Sequence, residues 1–261
     1  MELRLIVALA VRAKRELKSG DVVQAFCQSY LPQGENYICT PPAGCTITPP
    51  GMYSKLRKTL YGLKRSPRHF YDLAVKNLQL IGMQQHPSSN CIFYGHLIPN
   101  QPPLYLELYV DDFVYFSSSD EVEKKFEQLF SAKIEMDLNG PVTHFLGIKF
   151  TTTHHADGHV TTKLSQEAFV DTLRTQAGLD DESVSEPTTP YHSGCPIDTI
   201  PLDPTLPLAQ QQQFNAQLQT LVGSLNWLST STCPDIAPVT NFLAKYRLGL
   251  AHQFLGVWHP I

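Results

Sequence analysis

The tetrapeptide Tyr109-Val110-Asp111-Asp112 constrains the fold of this chain more than any other stretch. An apolar run at 104–108, interrupted by Glu107, precedes it, and a second at 113–116 follows before Ser117-Ser118-Ser119. Both runs are rich in Leu, Tyr, Val and Phe, the composition of strands ending at a turn signal. Asp is a poor strand former, and adjacent like charges repel. Two such residues inside an apolar hairpin have two readings: a turn with solvated carboxylates, or a cation held by both.

Other segments bear on that choice. Asp21 opens a short apolar stretch in Gly20-Asp21-Val22-Val23-Gln24-Ala25-Phe26. Between the two acidic sites lies Tyr61-Gly62-Leu63-Lys64-Arg65-Ser66-Pro67-Arg68-His69-Phe70-Tyr71, and beyond the hairpin lies His144-Phe145-Leu146-Gly147-Ile148. In this order the four segments resemble the reverse transcriptase of copia-type LTR retrotransposons. The likeness continues through Leu164-Ser165-Gln166, Leu221-Val222-Gly223-Ser224-Leu225 and Pro234-Asp235-Ile236-Ala237, nearly the whole chain.

The resemblance implies an α+β fold: a reverse-transcriptase palm, an antiparallel sheet with helices on one face, with partial fingers and a small helical C-terminal region. It implies RNA-directed DNA polymerase activity on an RNA or DNA template with a primer, consuming deoxynucleoside triphosphates. Asp21 and Asp111 would bridge two Mg²⁺ ions, with Mn²⁺ as a substitute, and Asp112 would be the supporting third carboxylate. Mg²⁺ prefers hard oxygen ligands, which accounts for Asp rather than His or Cys. Asp21 and Asp111 stand ninety residues apart, so they meet only if their strands are sheet neighbours. Phe26 would exclude a ribose 2′-hydroxyl, the alternative being a core Phe beside a strand. Tyr61, Gly62 and Lys64 would line the nucleotide pocket, and Arg65 and Arg68 would face phosphates. Tyr109 would pack near the primer end, and His144, Phe145, Leu146 and Gly147 would position that terminus.

The net charge of −4, with a pI near 6.2, is low for a protein that grips phosphates. The cations are nonetheless uneven. Lys55, Arg57, Lys58, Lys64, Arg65 and Arg68 fall within fourteen residues, and Arg12, Lys14, Arg15 and Lys18 cluster near the start. Such runs are usually solvated faces; overlap with the substrate-proximal signature favours phosphate contact for the first. None of the six cysteines forms a CxxC pair, and no leader or membrane-length apolar run stands out. Reduced thiols, an intracellular location (cytoplasmic or nuclear) and no membrane partner are therefore expected. Oligomeric state is left open. His154, His155 and His159 flank Asp157-Gly158 and read as an exposed turn rather than a metal site.

Periodicity predicts helices over 2–18, 66–81, 119–132 and 165–176, with Ser118 and Glu121 as a capping box. It predicts strands at 21–26, 104–116, 145–153 and 159–164. The domains expected are a palm with partial fingers over 1–160, a thumb-like helical segment over 161–186, a Pro-rich linker over 187–212, and a helical connection-like region over 213–261. A final helix should run from about 235 to 246. The family's domain starts well before Asp21, and the cations preceding Gly20 sit on a predicted helix rather than on fingers strands. A truncated copy that extends primers poorly is therefore expected. The alternative function is a catalytically dead relic with at most weak nucleic-acid binding.

Overall fold

The computed structural model describes residues 2–49, 51–177 and 207–245. They fall into two units, one of residues 2–145 with 151–162, the other of residues 146–150 with 163 onward.

The larger unit opens with α1 (Glu2–Arg12), whose Leu3, Ile6, Val7 and Ala10 are buried at helical spacing. The helix stops short of the predicted residue 18. Lys14 adopts φ 57, its N–H bonds the Val11 carbonyl, and the Arg15 N–H bonds that of Ala10. This is a Schellman ending, with Lys where Gly is usual. The chain then enters β1 (Lys18–Val22), a single turn α2 (Ala25–Gln28), and the short paired strands β2 (Ile38–Cys39) and β3 (Ser54–Lys55). The signature enters α3 (Ser66–Leu80) with Pro67 in its first turn, a place that needs no proline N–H. Next come β4 (Gln84–Gln85), β5 (Ile92–Gly95), β6 (Leu104–Tyr109), β7 (Asp112–Ser117) and α4 (Asp120–Ser131). The N-cap of α4 is Ser119, with no side-chain cap bond, so the Ser118–Glu121 box does not form. Glu123 instead accepts the Ser117 N–H at 2.9 Å. Strands β8 (Met136–Pro141), β9 (His144–Phe145), β10 (Ile148–His154) and β11 (Val160–Ser165) follow.

Six strands form one sheet in the order β4-β5-β6-β7-β1-β8, every neighbouring pair antiparallel. Side chains alternate across it. Leu104, Leu106 and Leu108 of β6 and Phe113 and Tyr115 of β7 join Phe70, Ala74 and Leu78 of α3 and Val122, Phe126 and Phe130 of α4 in one core. Both helices thus pack on one face, as predicted. The intervening residues Val114 and Phe116 are also buried, and α1 packs over β6 and β7 on their side, so the second face is partly covered too. This gives the mixed helix and antiparallel-sheet architecture that the resemblance implied.

In the smaller unit, α5 (Glu167–Gln176), α6 (Leu208–Ser231), a 3₁₀ turn at Pro234–Ile236 and α7 (Ala237–Lys245) are described. Leu243 of α7 packs on Val222 and Leu225 of α6. Of the stretch expected as linker, residues 187–206 lie outside the described residues. The remainder is helical from Leu208, because Gln is a good helix former and Pro207 precedes the helix instead of interrupting it. No helix among the described residues is long and apolar enough to cross a membrane. The described cysteines Cys27, Cys39, Cys45, Cys91 and Cys233 are all free.

Candidate active site

Hydrogen-bond register decides which residues of distant segments meet. In the β1/β7 ladder Asp21 stands directly opposite Asp112. Facing residues of antiparallel strands project from the same side, with Cα atoms about 5 Å apart. That side is the one opposite α3 and α4, because Val22 and Phe113, the next residues along, belong to the core. Asp111 occupies the two-residue tip between Tyr109 and Asp112, which pair with each other. Val110 takes φ 58 and Asp111 does not have positive φ, the sign pattern of a II′ turn. A β-branched residue there costs about 1–3 kcal/mol, which the ladder on both sides must hold. The tip is tied to β1 by the Val22 N–H, which bonds the Asp111 carbonyl at 2.8 Å.

The sequence-predicted carboxylates Asp21, Asp111 and Asp112 are thus brought to one end of the sheet. Burial first, then the charges of Asp111 and Asp21, raises the carboxyl pKa of Asp112 above the ordinary Asp range. Among the described residues, no three His, Cys, Asp or Glu side chains are drawn together closely enough to hold a metal ion. Like charges at this spacing repel, which favours splayed carboxylates until a cation neutralises them.

Phe26, on α2, packs its ring 4.7 Å from that of Tyr61 and 6.3 Å from that of Phe70. It is both a lid on the core and a neighbour of the signature loop. Tyr61 is 51% exposed, and burial and then the Asp111 charge raise its phenol pKa, so it lies within the field of Asp111. Gly62 takes φ 92, where a side chain would be strained, and Lys64 is exposed. Arg65 pairs with Glu35 at 2.6 Å, and Glu35 also accepts from His69 at 3.1 Å. Arg68 pairs with Asp72 at 3.0 Å and lies over the Tyr71 ring. The Arg68–Asp72 pair is exposed at both ends, and such pairs are weak enough to exchange for phosphate. The Arg65 guanidinium is exposed, but its partner Glu35 is largely buried and shared with His69. Tyr109 is half exposed beside the tip. His144 is exposed and Phe145 buried, while Leu146 and Gly147 turn the chain at φ 50 and 73.

Three features escaped the sequence reading. Asp137 of β8 faces Asp21 in register, so Asp21 has a carboxylate on each side. Asn139 donates to Asp21 Oδ1 at 3.2 Å. Gln28 fastens the turn after Asp21: its Nε2 donates to the carbonyls of Val23 (2.6 Å) and Glu135 (2.8 Å), and its Oε1 accepts the Glu135 N–H (3.0 Å). Only the register on β8 reveals the first two, and polar residues in a turn gave no signal for the third. The cations before Gly20 are also accounted for in part. Arg15 binds Asp120 and, at 3.3 Å, Glu123; Lys18 lies 3.0 Å from Glu123 and 3.1 Å from Glu127.

The model of the family described as "Reverse transcriptase (RNA-dependent DNA polymerase)" matches residues 1–191. The Pol polyprotein from transposon RE2 of Arabidopsis thaliana is 29% identical over 94% of this chain, which covers 16% of that polyprotein. That from transposon TNT 1-94 of Nicotiana tabacum is 25% identical over 94% of the chain and 18% of its own length. The chain therefore spans less than a fifth of these curated relatives. No solved structure matches it. The order of the four segments and the family match lead to one assignment: the chain belongs to the reverse transcriptase family, as a reverse transcriptase domain of the retrotransposon kind.

Proposed function

We propose that this chain forms the carboxylate centre of an RNA-directed DNA polymerase, with Asp21, Asp111 and Asp112 as its metal ligands. The observation that carries the reading is the Asp21–Asp112 register together with the bond that ties the Asp111 carbonyl to β1. The donor set fits Mg²⁺ or Mn²⁺: it is all oxygen and all carboxylate, and one member, Asp112, is raised in pKa by burial and then by its neighbours. When bound, such ions would neutralise charge on the attacking and leaving oxygens. The chain's own residues supply position. Tyr61 and Phe26 form an aromatic pair within the field of Asp111, suited to the sugar and base of a deoxynucleoside triphosphate. Lys64, the exposed Arg65 guanidinium and the exchangeable Arg68 are suited to phosphates of nucleotide or template, and Tyr109 and His144 to a primer end.

The reading of a catalytically dead copy has one observation in its favour. Arg15 and Lys18 already neutralise Glu123, Glu127 and Asp120, and so are spent as triphosphate donors. Phosphoryl transfer needs cations opposite the metal ligands, and removing one stabilising charge typically costs about 10² to 10³ in rate. Slow extension is therefore expected of this chain alone. The test is extension of a poly-A/oligo-T substrate with Mg²⁺ or Mn²⁺, beside an Asp111→Asn control. Synthesis that disappears in the control supports the carboxylate centre; equal background in both supports the inactive copy.

A further inference from the structure

Asp21 stands in a row of three carboxylates, between Asp112 on β7 and Asp137 on β8. Repulsion from both sides would turn its side chain outward. Among the described residues, only Asn139 donates a hydrogen bond to it, at 3.2 Å to Oδ1. An ionised carboxylate only accepts, so the amide must present its nitrogen.

Asn139 reaches Asp21 because β8 is irregular there. Ser19 pairs with Gly140 and Gly20 with Leu138, so Asn139 is the extra residue of a β-bulge. Gly140 takes φ 72, which suits a glycine bulge position. Opposite, Gly20 has no room for a Cβ, which would stand 2.4 Å from Phe113 Cζ and 2.7 Å from the Asp137 carbonyl. At Gly20, strand β1 thus lies close against Phe113 of β7 and the Asp137 backbone of β8. Strand β8 is the last of the sheet order, so the bulge lies on an edge strand.

We propose that Asn139 is a positioning residue for Asp21. Carried in by the bulge, its amide occupies Oδ1 and fixes the carboxylate rotamer, so that Oδ2 faces the cation. This rests on the reading of Asp21 as a metal ligand. In the metal-free chain, the Asn139 side-chain amide signal in ¹⁵N NMR spectra should move on Asp21→Asn and stay on Asp72→Asn, on α3 across the sheet. No movement on Asp21→Asn, or an equal movement on both, overturns the hydrogen bond and the inference, whatever the site does with metal. In Mn²⁺ titrations of the full chain, Asn139→Ala should weaken binding about tenfold, the usual size for a hydrogen bond to a charged group. Its thermal midpoint without metal should fall only slightly, as for loss of one exposed hydrogen bond, and it should have no further effect on Mn²⁺ affinity in the Asp21→Asn background. Equal affinity of wild type and Asn139→Ala overturns the positioning role alone, as does an equal loss in the Asp21→Asn background. A wild-type chain that binds no Mn²⁺ overturns the carboxylate-centre reading, and this inference with it.

Discussion

Glu107 sits within β6 with 3% of its surface exposed, and its Oε2 finds no hydrogen-bond partner among the described residues. Burial, then the charge of Glu2, pushes its carboxyl from the usual 4.5 up to about 7. The fold therefore favours the protonated form. That contribution is complete below about pH 4.5 and is lost as pH rises through 7. A shift of this size corresponds to about 3 kcal/mol. Urea unfolding at pH 5 and pH 8 should show Glu107→Gln narrowing the difference between the two, by raising stability at pH 8 by roughly 1–3 kcal/mol. An unchanged difference would count against a buried proton. Val110 poses the opposite case, a strained backbone under an ordinary side chain. Gly there relieves about 1–2 kcal/mol of left-handed strain and adds about 0.5–1 kcal/mol of unfolded-state entropy. Val110→Gly should therefore stabilise slightly, by up to about 1 kcal/mol in chemical denaturation. A clear loss would mean that the Val110 side chain packs against something that matters.

At the level of elements, alternation and punctuation made much of the sheet legible. The hairpin at 104–117, the Pro-started α3 and the apolar stripe of α4 follow local rules, and all three join one core. The end of α1 did not follow, because Lys14 takes a conformation that favours Gly and carries no composition signal. Nor was the bulge visible, since register depends on two strands more than a hundred residues apart in sequence. The same applies to the site: Asp21, Asp111 and Asp112 came from a motif, whereas Asp137, Asn139 and Gln28 required a partner strand. Gly20 shows how tight that partnership is. Gly20→Ala should destabilise by about 1–3 kcal/mol, the range of an overpacked core, because one of the two close neighbours is backbone. Thermal unfolding beside Gly158→Ala, at an exposed turn, separates packing from conformational strain. Equal losses in the two would show that the space around Gly20 yields easily.

Across the whole molecule, a net charge of −4 coexists with exposed Lys55, Arg57, Lys58 and Lys64. Affinity for a nucleic-acid duplex should therefore come from that tract and fall steeply with salt. Replacing Lys55, Arg57 and Lys58 together by Gln should reduce the slope of log affinity against log salt by about 2–3, near 0.9 for each phosphate no longer neutralised. An unchanged slope in fluorescence anisotropy would move the binding face elsewhere. The β6–β7 hairpin has a consequence for how a gene of this kind decays. Its odd and even positions hold different duties, since Phe113 and Tyr115 fill the core while Asp112 faces the site. Loss of a single codon between 104 and 117 would exchange the two sets beyond it, sending Asp112 towards the α3–α4 core and turning Phe113 and Tyr115 to the opposite face. Amino-acid replacements can erode such a hairpin by degrees, but a one-codon deletion removes fold and chemistry together. The register here depends on strand length, and an ageing copy forfeits it in one event even when its reading frame is kept.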